Sequence, residues 1–310
     1  MLLATVFALS VIGCGTKDTK EQDAYRQYGI TCMESGKYED AVKAFQNALG
    51  ESIGHIGEKE LDICFYKAKA QALDGKTKDA LATYNAIIKY NKDARAYYLR
   101  GDLYMDMGEE KKGKADFESA VQHGKKNYEI YIGIYESLSR HEKKDEGQKY
   151  LSAAMEIKGD KPEDELYKGR ISYLLGENKD AISYLEKAKE HKQMLASYYL
   201  GLAYDANGDS DKAKKCIAEY IKSGVATSYD LYELGMQEMQ DGNYKNALTY
   251  FNSGLELEKV PNKQNLMKSA IAAYEYSGDF DSAKKMMKEY LKAYPDDEEA
   301  KHENTFLETR

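Results

Sequence analysis

The chain has 310 residues, 42% of them hydrophobic and 32% charged, which is the composition of a soluble, folded protein. Only three prolines stand beside 28 tyrosines, and tryptophan is absent; few prolines suit long helices, because an interior proline breaks the hydrogen-bond ladder. The formal net charge is −8 and no long basic run occurs, so the electrostatic footprint of a nucleic-acid-binding protein is missing.

From the start of the chain, Leu2 to Ile12 are apolar apart from Thr5 and Ser10. The run is too short to span a bilayer, which needs about 20 residues, and fits the apolar core of a signal peptide. It ends in Val11-Ile12-Gly13-Cys14, followed by Gly15, Thr16 and Lys17. This resembles the lipobox of bacterial lipoproteins. The resemblance implies residues 1–13 as a removed signal, Cys14 as the lipidated residue and residues 14–21 as a lipidated tether. It also implies extracytoplasmic localisation, with the chain lipid-anchored to a bacterial membrane. No Lys or Arg precedes the apolar run, which leaves two readings: a start upstream of Met1, or a weak signal. The other cysteines are Cys32, Cys64 and Cys216, with no C-x-x-C among them. They read as small buried hydrophobes or, for Cys32 and Cys64, as a bridge between adjacent repeats.

The body of the chain repeats itself. Turn glycines at 36, 75, 108, 176, 208, 242 and 278 are spaced by 39, 33, 68, 32, 34 and 36 residues. The interval of 68 is twice 34, so one repeat lacks its turn glycine, near Glu142. After each turn comes a small residue: Ala41, Ala80, Gly113, Gly147, Ala181, Ala213, Ala247 or Ala283. Four residues later comes a large one: Phe45, Tyr84, Phe117, Leu151, Leu185, Ile217, Phe251 or Met287. Positions i and i+4 share a helix face, so the small residue admits a neighbouring helix and the large one fills the gap. Seven residues before the turn stand Gly29, Gly101, Gly169, Gly201 and Gly235, with Ala68, Tyr135 and Ile271 in the other repeats. The unit is therefore helix, turn, helix, and repeats are expected to start at 22, 61, 94, 128, 162, 194, 228 and 264. Residues Gly50 to Gly57 read as a longer loop between the first two.

These units resemble tetratricopeptide repeats. The matches are Leu200-Gly201, Tyr204, Gly208 and Ala213, then Leu231, Leu234-Gly235, Gly242, Ala247 and Phe251. Tyr25, Gly29, Gly36, Ala41, Phe45 and Ala48 match in the first repeat, and Pro295 closes the last. The family's usual tryptophan is absent throughout. The resemblance implies an all-α solenoid, a right-handed superhelix of about eight repeats over residues 22–297. Residues 298–310 then form a capping helix opened by Asp296 and Asp297.

In this family the first helix of each repeat lines a concave face. The fifth position from each start reads Arg26, Phe65, Tyr98, Ile132, Leu166, Tyr198, Tyr232 and Lys268. Neighbouring inward positions add Tyr173, Tyr229 and Met236. The candidate groove is therefore Phe65, Tyr98, Leu166, Tyr173, Tyr198, Tyr229, Tyr232 and Met236, since an exposed apolar stripe marks a binding surface. Asp62, Lys69, Arg95, Asp102, Glu136 and Arg170 surround it as candidates to fix a ligand's direction. The same stripe also suits a core, because a tightly wound superhelix buries part of its inner face. The family's clamp for acidic C-terminal tails wants Lys and Asn at inward sites, where Arg26, Ile30 and Tyr66 stand here.

Catalytic patterns are lacking: there is no phosphate loop and no G-x-S-x-G elbow. His141-Glu142-Lys143-Lys144-Asp145 has Asp where a zinc-protease helix needs its second His. The expectation is a membrane-anchored scaffold, without enzymatic activity, cofactor or metal, that binds a protein or peptide partner on its concave face. The alternative is a structural subunit or assembly factor of a cell-envelope machine, resembling tetratricopeptide lipoproteins that serve outer-membrane or pilus assembly.

Overall fold

The computed structural model describes residues 20–52, 56–159 and 161–310. Cys14 and the expected signal lie outside the described residues. The described residues form seventeen helices and no strand. Eight pairs follow one another: α1 (Lys20–Glu34) with α2 (Tyr38–Gly50), α3 (Glu58–Leu73) with α4 (Thr77–Asn91), α5 (Ala94–Asp106) with α6 (Glu110–His123), and α7 (Tyr128–Arg140) with α8 (Lys144–Met155). Then come α9 (Pro162–Leu175) with α10 (Asn178–Glu190), α11 (Leu195–Ala206) with α12 (Ser210–Lys222), α13 (Ser228–Gln240) with α14 (Tyr244–Leu255), and α15 (Lys263–Tyr276) with α16 (Phe280–Ala293). A single helix, α17 (Glu298–Glu308), closes the series. The architecture is an all-α solenoid of helical repeats. No helix of the described residues is long and apolar enough to cross a membrane.

Two compact units can be described. The first holds the described residues up to Gln193 together with Leu202–Asn207; the second holds Met194–Gly201 and Gly208–Arg310. Helix α11 is divided between them.

Local chemistry explains the helix ends. Asp93, Asn127, Asp209, Thr227, Asp279 and Asp297 each accept a hydrogen bond from a backbone N–H of the first turn that follows. The turn inside each repeat needs one left-handed residue. At Gly36 (φ 69°) the chain reverses with Lys37 N donating to Cys32 O at 2.8 Å. The fourth repeat builds the same turn without glycine: Glu142 takes φ 61°, and Lys143 N donates to Leu138 O at 2.8 Å. The missing glycine is thus a substitution within an intact turn.

Size complementarity packs each pair. A β-carbon at Gly29 would come within 2.6 Å of the Phe45 ring, and one at Gly101 within 2.8 Å of Phe117. Phe45, Phe117 and Phe251 are fully buried against these glycine-bearing first helices. The fourth repeat inverts the arrangement: Tyr135 occupies the glycine's place, and Gly147 on α8 makes room for it. Cys32 and Cys216 are buried and Cys64 is half-buried. No bridge joins Cys32 to Cys64, and burial pushes the Cys64 thiol's pKa upward.

Candidate functional site

In the first unit, the inward positions of the first helices are laced by ion pairs between successive repeats. Arg26 on α1 bonds Asp62 on α3 (2.8 Å through Nε), and Lys59 on α3 reaches back to Asp23 at 2.7 Å. Arg140 on α7 bonds Asp102 on α5 at 2.6 Å, and Arg170 on α9 bonds both Glu129 (3.2 Å) and Glu136 (3.0 Å) on α7. Arg95 is held by its own cap residue Asp93 at 2.7 Å and lies 4.5 Å above the Phe65 ring. Asp62, Arg95, Asp102, Glu136 and Arg170, expected from sequence to orient a ligand, are therefore engaged with the protein itself. Each partially exposed pair contributes only about 0–1 kcal/mol. Together they neutralise the face between repeats.

The first unit's stripe residues are packed into the same lacework. Phe65 is half-buried beneath Arg95. Tyr98 lies over Gly133, where a β-carbon would meet its ring at 2.6 Å, and its ring centroid is 6.4 Å from that of Phe117. Burial, with the nearby Asp102 carboxylate second, drives the Tyr98 hydroxyl's pKa well above the ordinary tyrosine range. Tyr173 is half-buried, and burial raises its pKa, with Asp205 adding to the effect. Leu166 retains 8% exposure and belongs to the buried interior, as does Ile132 at 0%. An apolar residue at an inward position is here as often part of the seam between repeats as of an open surface, because adjacent first helices pack on one another.

The second unit is different. Helix α13 carries Asp230, Glu233 and Glu238 and no Lys or Arg. No ion pair links it to α15 among the described residues. The inward positions that hold Asp62, Arg95 and Glu129 in the first unit hold Leu195 and Tyr229 here; Met236 stands where Asp102 and Glu136 stood. Tyr229 is 54% exposed. Tyr232 is half-buried with its ring centroid 6.2 Å from that of Phe251, and Met236 accepts a contact from Ser269 Oγ at 3.6 Å. Tyr198 is half-buried, its centroid 5.2 Å from that of Tyr220. Tyr, Leu and Met thus stand at these positions in place of charged residues, leaving partly exposed aromatic and thioether surface. Beyond α13, Lys268 on α15 binds Asp297 at 2.9 Å.

A second device ties the ends of α12 and α16 to the element that follows each. Tyr220 near the end of α12 donates to Asp230 at 2.6 Å, while Asp230 also accepts from the Thr227 backbone N–H. Tyr290 near the end of α16 likewise donates to Asp297 at 2.5 Å, and Asp297 also accepts from the Ala300 N–H. The hydrogen bond from Tyr290, then that from Lys268, holds the Asp297 carboxyl's pKa far below the usual range. The sequence signal for both clasps is a tyrosine seven residues after the small residue of the second helix: Ala213 to Tyr220, and Ala283 to Tyr290.

Tetratricopeptide-repeat models match residues 29–88, 94–122, 195–223 and 264–297. No curated protein matches the chain by sequence. Among solved structures, a tetratricopeptide repeat protein from Parabacteroides merdae ATCC 43184 is similar at 12% identity and a TM-score of 0.48, covering 82% of this chain and 99% of that one. The Cut9–Hcn1 assembly of the APC/C aligns at 15% identity and 0.45, over 92% of this chain and 55% of that one. PilW, a type IV pilus biogenesis factor, aligns at 17% identity and 0.43, over 67% and 97%. The matched stretches are tetratricopeptide repeats, and such repeats form scaffolds for protein–protein interaction.

Proposed function

We propose that the protein is a lipid-anchored, extracytoplasmic scaffold that holds a protein or peptide partner on the first helices of its second unit. The observation that carries the partner site is the change of surface at α13. There the charge lacework stops, Tyr229 stands 54% exposed, and Tyr232 and Met236 flank it. Tyrosine supplies contact area with a hydroxyl handle, and methionine adapts to different shapes, both suited to a recognition surface. The anchor reading is supported by Gly13-Cys14 at the end of an apolar run. This reading assigns the chain no catalytic role.

A photo-crosslinking amino acid placed at Tyr229 in cells tests the partner site, with the same probe at Leu73, an exposed residue on α3 of the first unit, as control. The expected result is one defined adduct from position 229, lost when Tyr232→Ala and Met236→Ala are added. An adduct only from the control position would place recognition elsewhere. A complex at position 229 that persists through detergent extraction would mark the partner as a fixed subunit, the behaviour of an envelope-assembly component. Metabolic labelling with a fatty acid checks the anchor: label should appear on the wild type and vanish with Cys14→Ser.

A further inference from the structure

The second helices of the second unit carry a charge pattern that the partner site does not use. Across α12, α14 and α16 there are nine lysines against four carboxylates, and no arginine. The lysines recur in register. Asp211-Lys212-Ala213-Lys214-Lys215 and Glu219-Tyr220-Ile221-Lys222 on α12 correspond to Asp281-Ser282-Ala283-Lys284-Lys285 and Glu289-Tyr290-Leu291-Lys292 on α16. Ala213, Cys216, Ile217 and Tyr220 form the buried side of α12, and Ala283, Met287 and Tyr290 that of α16. Lys215 and Lys222, and likewise Lys285, Lys288 and Lys292, therefore fall on the opposite, exposed faces.

In the first unit the lysines of several second helices are neutralised: Lys43 by Glu39 and Asp40, Lys112 by Glu109, and Lys114 by Glu110 and Glu146. On α12 only Lys212 is bound, by Asp209. Lys214, Lys215, Lys222, Lys285, Lys288 and Lys292 have no ion-pair partner among the described residues. No exposed large hydrophobic side chain lies on α12, α14 or α16. Protein interfaces are centred on aromatic residues and arginine and are poor in lysine. A lysine face without apolar anchors instead suits a plane of phosphate headgroups. There, flexible point charges suffice and no fixed bidentate geometry is required.

We propose that the exposed lysine faces of α12 and α16 dock on an anionic phospholipid surface. The proposal rests on the anchor reading in one respect: a lipid on Cys14 would keep the fold beside such a surface, where a basic patch supplies the second attachment signal. The chain's net charge of −8 opposes attraction at long range. Contact therefore operates within about one Debye length, about 8–10 Å, and is salt-sensitive.

The experiment uses the full chain carrying Cys14→Ser, so that lipidation plays no part. It is sedimented with vesicles of one part phosphatidylglycerol to two parts phosphatidylcholine, and with vesicles of phosphatidylcholine alone. Binding is expected to the anionic vesicles only and should be removed by added salt. Lys215→Gln, Lys222→Gln, Lys285→Gln and Lys292→Gln should each weaken it by about fivefold. The substituted side chains are exposed, and circular dichroism verifies that the helices persist. Lys43→Gln and Lys112→Gln, in the neutralised first unit, should leave binding unchanged. Failure of the wild type to bind anionic vesicles overturns the proposal, as does binding that the four substitutions do not reduce. Lysine-dependent binding to polyglutamate without binding to vesicles also overturns it, and assigns the face to an acidic protein. None of these outcomes bears on fatty-acid labelling of Cys14, so failure of the anchor reading is read separately.

Discussion

Replacing Glu142 with glycine is expected to stabilise the first unit. Glu142 closes the turn between α7 and α8 with φ 61°, where seven other repeats place glycine. A residue with a β-carbon pays roughly 1–2 kcal/mol in the left-handed region. Glycine relieves this but has more backbone entropy to lose on folding, about 0.5–1 kcal/mol. The Glu142 side chain is exposed and engages no ion pair among the described residues, so its removal costs no contact. The net gain is about 0.5–1 kcal/mol. In a repeat array stability is largely a sum of local terms. The effect should therefore appear as about two- to fivefold slower hydrogen exchange in α7 and α8, together with a higher urea midpoint. Glu142→Ala keeps the β-carbon and should change little. A glycine variant that exchanges faster, or an alanine variant that gains equally, would refute the strain argument.

Phe251→Ala removes a fully buried ring seated on Gly235. It should cost about 3–5 kcal/mol, measured by urea unfolding, with the loss concentrated in α13 and α14. Alkaline stability is set by the buried tyrosines. Burial raises the pKa of Tyr84 and Tyr98 in the folded chain, so their contribution is complete below the ordinary value of about 10 and is lost as pH rises above it. Tyr84→Phe with Tyr98→Phe should shift the alkaline unfolding midpoint upward in a pH titration followed by circular dichroism; an unchanged midpoint would count against the burial argument. Asp297 has the opposite sign. Its carboxyl's pKa is depressed by Tyr290 and Lys268, so its contribution is present above about pH 4 and is lost as pH falls toward the folded value. Asp297→Asn should speed hydrogen exchange in α17 at neutral pH and flatten the acid dependence of that helix; equal exchange rates would show that the clasp does not hold it.

The period of the chain was legible because helix pairs cannot bury their faces alone. Each repeat must present the same small and large residues at the same register, as Gly29 with Phe45 and Gly101 with Phe117 do. The first helices begin at Lys20, Glu58, Ala94, Tyr128, Pro162, Leu195, Ser228 and Lys263. The second starts three residues ahead of its sequence expectation, because Glu60 turns back to bond the Gly57 N–H and caps the helix there. The turn without glycine was also visible at Glu142, although only the backbone reveals that the left-handed conformation is retained.

The inward stripe was legible as positions and not as surface. Leu166 and Tyr232 occupy the same fifth position of their repeats, yet Leu166 is buried at 8% exposure and Tyr232 is only half-buried. The difference depends on the neighbouring repeat, which a one-dimensional pattern does not contain. The pairing of Arg26 with Asp62, and of Arg170 with Glu136, joins residues 36 and 34 apart in the chain. Charge spacing along one helix gives no sign of these bonds; they exist because successive first helices stack. The amino-acid sequence by itself determined the repeat, its turns and its all-helical class, since these follow from local size and backbone preference. Which charges are neutralised, which tyrosine of α13 is exposed and which lysines stand without an ion pair on α12 and α16 were decided only by tertiary packing. That packing sets whether each side chain meets a partner across the repeat boundary or meets solvent.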